Sequence, residues 1–171
     1  MIRLAAPADA PAIATIYNHY VRETVVTFEE EPVTDAEMAR RIGEVLDASL
    51  PWLAAEEDGT ILGYAYGAPW AGRSGYRFSA EITVYLTPGQ TGKGIGTQLY
   101  DRLFPLLETR GIHAVIGGIA LPNPASVALH ERFGLTKVAH FGQVGYKFGQ
   151  WIDVGYWHRI LPPAGEGGTH E

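Results

Sequence analysis

The stretch that most constrains the fold runs from Tyr76 to Gly111. Phe78, Ala80, Ile82, Val84 and Leu86 alternate with Arg77, Ser79, Glu81, Thr83 and Tyr85, the period-two pattern of a strand with one apolar face. "TPGQTGKGIG" follows, and then Ile95, Leu99, Leu103, Leu106 and Leu107 recur at helical spacing up to Gly111. A strand therefore passes through a glycine-rich loop into a helix. Gly92, Gly94 and Gly96 free the backbone to curl, so that successive N–H groups point at one place at the positive end of that helix. Such a place suits phosphate. Lys93 is the only charged side chain between Ile82 and Tyr100.

The rest of the chain supplies the context for this unit. Ile2 to Leu4 reads as a short strand. Asp9 and Pro11 mark a helix start ahead of Ile13, Ile16, Tyr17, Tyr20 and Val21. "TDAE", Thr34 to Glu37, is a capping-box pattern before Met38, Ile42, Val45 and Leu46. Asp58-Gly59 tolerates the positive φ angles of a hairpin turn between two β-like runs. "HAVIGGI" is a further strand; Asn123, Pro124 and Gly134 are cap, first turn and C-cap signals for a helix over about 124–133. "YKFGQWIDVGYWHRIL" is aromatic and β-rich, and the tail 162–171 is expected to be disordered. The order β-α-α-β-β-β-α-β-α-β-β predicts an α/β (α+β) fold in one domain, residues 1–161, with a mixed sheet and helices on its faces.

Composition narrows the partners. The chain has 171 residues, 46% of them hydrophobic, enough for one core. Its formal net charge is −6 and its Lys and Arg are scattered, which argues against nucleic acid and against an anionic membrane surface. With no cysteine, thiolate metal sites, disulfides and a cysteine nucleophile are excluded. The histidines have no metal-ligand spacing, so no metal is expected. "MIRLAAPADAP" lacks the apolar core of a signal peptide, and the expectation is a cytoplasmic protein.

Among phosphate motifs, a P-loop fails because Lys93 is followed by Gly94 and Ile95, and a Rossmann fingerprint fails at Thr97. "TGKGIG", residues 91–96, instead resembles the Gln/Arg-x-x-Gly-x-Gly/Ala motif of the GNAT acetyltransferases, with Thr91 at the usual Gln/Arg position. Within that superfamily the chain looks like the phosphinothricin N-acetyltransferases over nearly all of residues 1–161. The similarity is carried by "IYNHYV", "TVVTFEEEP", "PWLAAEEDGTILGYAYGAPW", "AEITVYLTP", "GIGTQLY", "LPNPASVALHERFG" and "GYKFGQWIDVGYW".

The resemblance implies a GNAT fold with a mostly antiparallel central sheet, and transfer of acetyl from acetyl-CoA to the amino group of a small amino-acid-like acceptor. That acceptor is phosphinothricin, with methionine sulfoximine, its sulfone or another amine as alternatives, and the family links the activity to antibiotic and herbicide resistance. A non-catalytic CoA-binding module is the reading from another class. Glu81 and His130 match the catalytic pair, with Tyr100 as a rival for the acid that protonates the CoA thiolate. Val84, Tyr85 and Leu86 would meet the pantetheine arm, and Gly92, Lys93, Gly94, Ile95, Gly96 and Thr97 the pyrophosphate. Asn123 is either a cap or a contact to the arm, or both. Phe28, Arg73, Tyr76 and Lys147 match the acceptor pocket, with Arg77 a competing anion ligand. Trp151 and Asp153 fall in a C-terminal signature near the acceptor and the contact of an implied homodimer.

Overall fold

Short-range turn chemistry sets most of the element boundaries. The structure is a computed structural model and describes residues 1–163; residues 164–171, most of the expected tail, lie outside the described residues. Its elements are β1 (Ile2–Leu4), α1 (Ala10–Glu23), α2 (Asp35–Asp47), β2 (Trp52–Glu57), β3 (Thr60–Pro69), β4 (Ser79–Leu86), α3 (Ile95–Thr109), β5 (Ala114–Leu121), α4 (Pro124–Arg132), β6 (Thr136–Lys147) and β7 (Gln150–Ile160). Asp58 and Gly59 both take positive φ, 49° and 77°, and join β2 to β3 as a two-residue turn, the geometry that matches strand twist. Asn123 accepts the Ser126 amide at 3.2 Å and so caps α4. At the other end Gly134, at φ +79°, donates to Glu131 O while Leu135 donates to His130 O, a Schellman closure.

Three sequence signals are used differently from expectation. Thr34 accepts the Glu37 amide at 3.1 Å, but the Glu37 carboxylate turns to Arg40 and Arg41, so half of the capping box forms. The Asp9 carboxylate accepts from Arg3 and from the Ala6 amide and caps no amide of α1, because the β1 arginine competes for it. Phe78 lies before β4 and is exposed; the strand begins one residue later than the alternation suggests.

One seven-stranded sheet results, in the order β1-β2-β3-β4-β5-β7-β6. Only β4 and β5 are parallel. Ala80 and Ile82 of β4 are buried on the α3 side, where Leu107 lies 2.9 Å from the Cβ position of Gly67. Tyr85, of opposite parity, meets Tyr17 and Tyr20 of α1 at ring distances of 5.4 and 5.0 Å. Helices α1 and α2 therefore cover one face, and α3 and α4 the other. Leu99, Leu103 and Leu107 are fully buried, and truncating Leu107 to Ala would cost about 2–5 kcal/mol.

Candidate active site

The site begins where the sheet stops being continuous. β4 and β5 pair only through Ser79↔Ala114, Ala80↔Val115 and Glu81↔Ile116. From Ile82 and Gly117 onwards the two strands part, although each continues to Leu86 and Leu121. A cavity of about 530 Å³ lies beyond the parting. Val84, Tyr85 and Leu86 line it from β4; Gly92, Gly94, Ile95, Gly96 and Thr97 line it from the loop and the first turn of α3.

Gly92 and Gly94 hold φ angles of +78° and +79°, open to glycine and strained for most other residues. Among the described residues, the amides from Thr91 to Thr97 donate to no protein acceptor, the first loop bond beyond them being Gln98 N to Gly94 O. Free amides at a helix N-terminus form an anion cradle without any side chain.

Lys93 is the exception among the expected cofactor residues. Its Nζ donates to Gln90 Oε1 at 3.0 Å and it does not line the cavity, because a side chain between two left-handed glycines is carried to the outer side of the loop. The cavity's cation is Arg132, unmarked by the sequence reading. Ala125, Ala128, Leu129 and Arg132 form one stripe of α4 facing the cavity, a spacing of three and four residues that was legible. Asn123 and Ser126 line it too, so Asn123 is cap and wall at once. The Leu86 carbonyl accepts the Tyr20 hydroxyl at 2.6 Å; β4 stays paired with β3 as far as Leu86↔Gly63, so its open edge is the one that β5 has left.

Glu81 and His130 stand on opposite faces of the sheet at the point of parting. Glu81 shares the α1 face with Tyr85. It is half-buried, has no hydrogen-bond partner among the described residues, and burial raises its pKa above the usual carboxylate value. His130 is 4% exposed, and its ring lies over Gly117, the first residue of β5 past the last pair; a Cβ there would stand 2.6 Å from His130 Cδ2. Nδ1–H donates to the Ser126 carbonyl at 2.7 Å, which fixes the tautomer, so Nε2 accepts from the Tyr100 hydroxyl at 3.1 Å. Burial lowers the His130 pKa and raises that of Tyr100. Both are neutral at pH 7. Neither lines the cavity; Ser126 and Leu129, beside them, do.

The expected acceptor residues separate into two groups. Arg73 and Tyr76 line a second cavity of about 440 Å³ with Arg77, Arg110 and Ser79; Ser79 shares Glu81's face two residues back. The side chains of Arg73 and Arg110 make no hydrogen bond among the described residues, while Arg77 Nη1 donates to Ser74 O at 3.0 Å. Arg110 carried no signal, being a lone charge at a helix end.

Lys147 and Phe28 both join the segment after α1 to β6. Lys147 is buried, and its Nζ donates to Thr27 O at 2.8 Å and to Tyr20 O at 3.4 Å. Burial lowers its pKa. It ties the segment after α1 to β6. The ring of Phe28 packs over Gly145, leaving no room for a Cβ there. Trp151 packs on Tyr146 at 4.7 Å, and Asp153 accepts from His140 Nε2 and from the Gln143 amide, both at 2.8 Å. Among the described residues no cluster of three or more His, Asp or Glu could hold a metal, and no helix is long and apolar enough to cross a membrane.

A sheet that opens beside a glycine-rich helix start, with a carboxylate at the vertex, fits a CoA-dependent acyltransferase. Comparison with known proteins agrees: the family described as "Acetyltransferase (GNAT) domain" matches residues 2–155. A phosphinothricin N-acetyltransferase of Streptomyces viridochromogenes is 40% identical over 158 residues, covering 92% of this chain and 86% of its own. An L-methionine sulfoximine/L-methionine sulfone acetyltransferase of Salmonella typhimurium is 39% identical, covering 90% of each chain. The solved structure of a phosphinothricin acetyltransferase from Sinorhizobium meliloti in complex with AcCoA superposes with a TM-score of 0.92 at 34% identity, over 99% of this chain and 91% of that one. The chain belongs to the GNAT acetyltransferase family and is an acetyltransferase.

Proposed function

We propose that this enzyme acetylates the α-amino group of a small anionic or zwitterionic amino acid of the phosphinothricin type by direct transfer from acetyl-CoA. The observation that carries this reading is the position of Glu81 at the last β4–β5 pair, with the anion cradle beyond the gap and three guanidinium groups around the cavity that Ser79, two residues back, also lines. The family relatives that act on phosphinothricin and on methionine sulfoximine and sulfone support the same acceptor class.

The residues present fit acetyl-CoA. The unpaired amides of the loop and Arg132 suit its phosphates, and the open edge of β4 suits its amide-bearing arm. When bound, it supplies the activated acetyl group. Glu81 takes the ammonium proton, directly or through a water, and its raised pKa makes it a better base than an exposed carboxylate. On the other face, the mobile proton is the one shared between Tyr100 Oη and His130 Nε2. That proton would reach the departing thiolate through a bridging water, since Ser126 and Leu129 stand between the pair and the cavity, while the Ser126 carbonyl holds the imidazole in place. Holding amine and thioester together contributes the larger share of the rate, on the order of 7–11 kcal/mol in favourable cases. Arg73 and its neighbours hold the acceptor's anionic group.

A homodimer belongs to the same reading. Val138, Phe141, Val144, Tyr146, Phe148 and Trp151 are all more than half exposed along β6 and the start of β7, an apolar row at a sheet edge that a second copy would cover. Acetyl-CoA is a metabolite of the cell interior, which supports a cytoplasmic location, and acetylation of phosphinothricin would give resistance to it. The test is free-thiol release from acetyl-CoA with phosphinothricin, methionine sulfoximine, methionine sulfone and a panel of amines. Turnover with the first three is expected; acetyl-CoA binding without turnover on any amine overturns the reading.

A further inference from the structure

We infer that the ring of Tyr156, seated over Gly118, is the wall of the acceptor site opposite Glu81 and decides which acceptor side chains fit. The inference rests on the acceptor reading above. Glu81 pairs with Ile116, and Gly118 follows two residues later on the same face, in the part of β5 that β4 has left. Across β5, Gly118 pairs with Tyr156 of β7.

A Cβ on Gly118 would lie 3.0 Å from Tyr156 Cε1, so the ring leans over the glycine toward the gap. Two edge-to-face contacts fix it there. Trp70, just after β3, meets it at 5.8 Å and 79°, and Phe141 of β6 meets it at 5.8 Å and 82°.

Two strand spacings, about 10 Å where the strands are paired, separate β7 from β4, and the distance widens at Gly118 where β4 and β5 have parted. Between them the floor is Ile116 and Gly118, and the Trp70 ring in contact with Tyr156 bounds it on the β3 side. Aromatic faces cover methyl and methylene groups well and carboxylates poorly. An acceptor with its amine at Glu81 and its charged group toward Arg73 therefore rests its apolar or methyl-bearing part on Tyr156. Glycine at 118 is what lets the ring reach that place.

The experiment compares phosphinothricin with glutamate, and methionine sulfone with glutamine, by thiol release, and measures acetyl-CoA binding by calorimetry for wild type, Gly118→Ala, Tyr156→Phe and Tyr156→Ala. Gly118→Ala is expected to raise acceptor KM roughly 10-fold, in the range of one methylene in a fitted pocket, with acetyl-CoA affinity unchanged. Tyr156→Ala should erase the preference for the methyl-bearing member of each pair, and Tyr156→Phe should keep it. Unchanged acceptor KM and preference in Gly118→Ala and Tyr156→Ala overturn the wall, as does an equal loss of acetyl-CoA affinity. If wild type prefers other amines, the acceptor class falls and the same variants must shift KM for those amines. A wild type that acetylates nothing removes both proposals.

Discussion

The Tyr100 hydroxyl and Nε2 of His130, 3.1 Å apart, form a buried polar pair that depends on a third residue having no side chain. Gly117 lies against the imidazole, and an added Cβ would press 2.7 Å from Nε2 itself. Gly117→Ala is expected to break the pair and lower kcat by roughly 10²-fold or more, the scale of one proton-transfer group, with acetyl-CoA affinity retained. Tyr100→Phe should do the same without steric conflict. An unaltered kcat in Tyr100→Phe would remove the pair from the reaction.

Glu81→Gln should trade activity for stability. Burial raises the pKa of Glu81, so its charged form is held less well in the folded chain than in the unfolded one. The contribution of this group to stability is therefore full below its unfolded pKa and is lost as pH rises through its folded pKa. At pH 7–8 the Gln variant is expected to melt at a higher temperature than wild type, and to lose roughly 10²–10⁴-fold in kcat/KM. The wild-type acidic limb of kcat/KM should lie above the ordinary carboxylate range and vanish in the variant.

Arg132 and Lys93 separate under substitution. Arg132→Ala should raise KM for acetyl-CoA several-fold at low salt, with the difference shrinking as salt screens the phosphates. Lys93→Ala should change little, because Nζ is turned to Gln90. Thr91→Gln should tighten acetyl-CoA slightly or leave it unchanged; a large loss of affinity would mean that the backbone amides do not carry binding at this loop.

Lys147→Met should act on stability. Removing Nζ leaves the Thr27 carbonyl without its donor, at a cost of about 1–3 kcal/mol, read as a lower melting temperature. A fall in acceptor affinity with an unchanged melting temperature would return Lys147 to the acceptor site.

The legible part of this protein was the part written in local chemistry. Asp58-Gly59, Asn123, Pro124 and Gly134 each state a backbone geometry within a few residues, and the element order follows from them. The glycine loop was legible as a cradle for the same reason, since φ and free amides are backbone properties. The direction of Lys93, the capture of Asp9 by Arg3 and the burial of Lys147 were not legible. Each is decided by a long side chain choosing among partners that are distant in sequence, such as Thr27 for Lys147, 120 residues away. Arg110 and Arg77 meet Arg73 only because a helix end, a loop and a strand start converge, and periodicity carries no record of that.

The three-residue join between β4 and β5 also ties the folding stability of the protein to what fills the gap. Strand edges beyond Glu81 and Ile116 lack mutual protection, so their amides exchange with solvent more readily than those of a closed sheet. A ligand that fills the gap adds stability by mass action, about 2.7 kcal/mol at a hundred times its Kd.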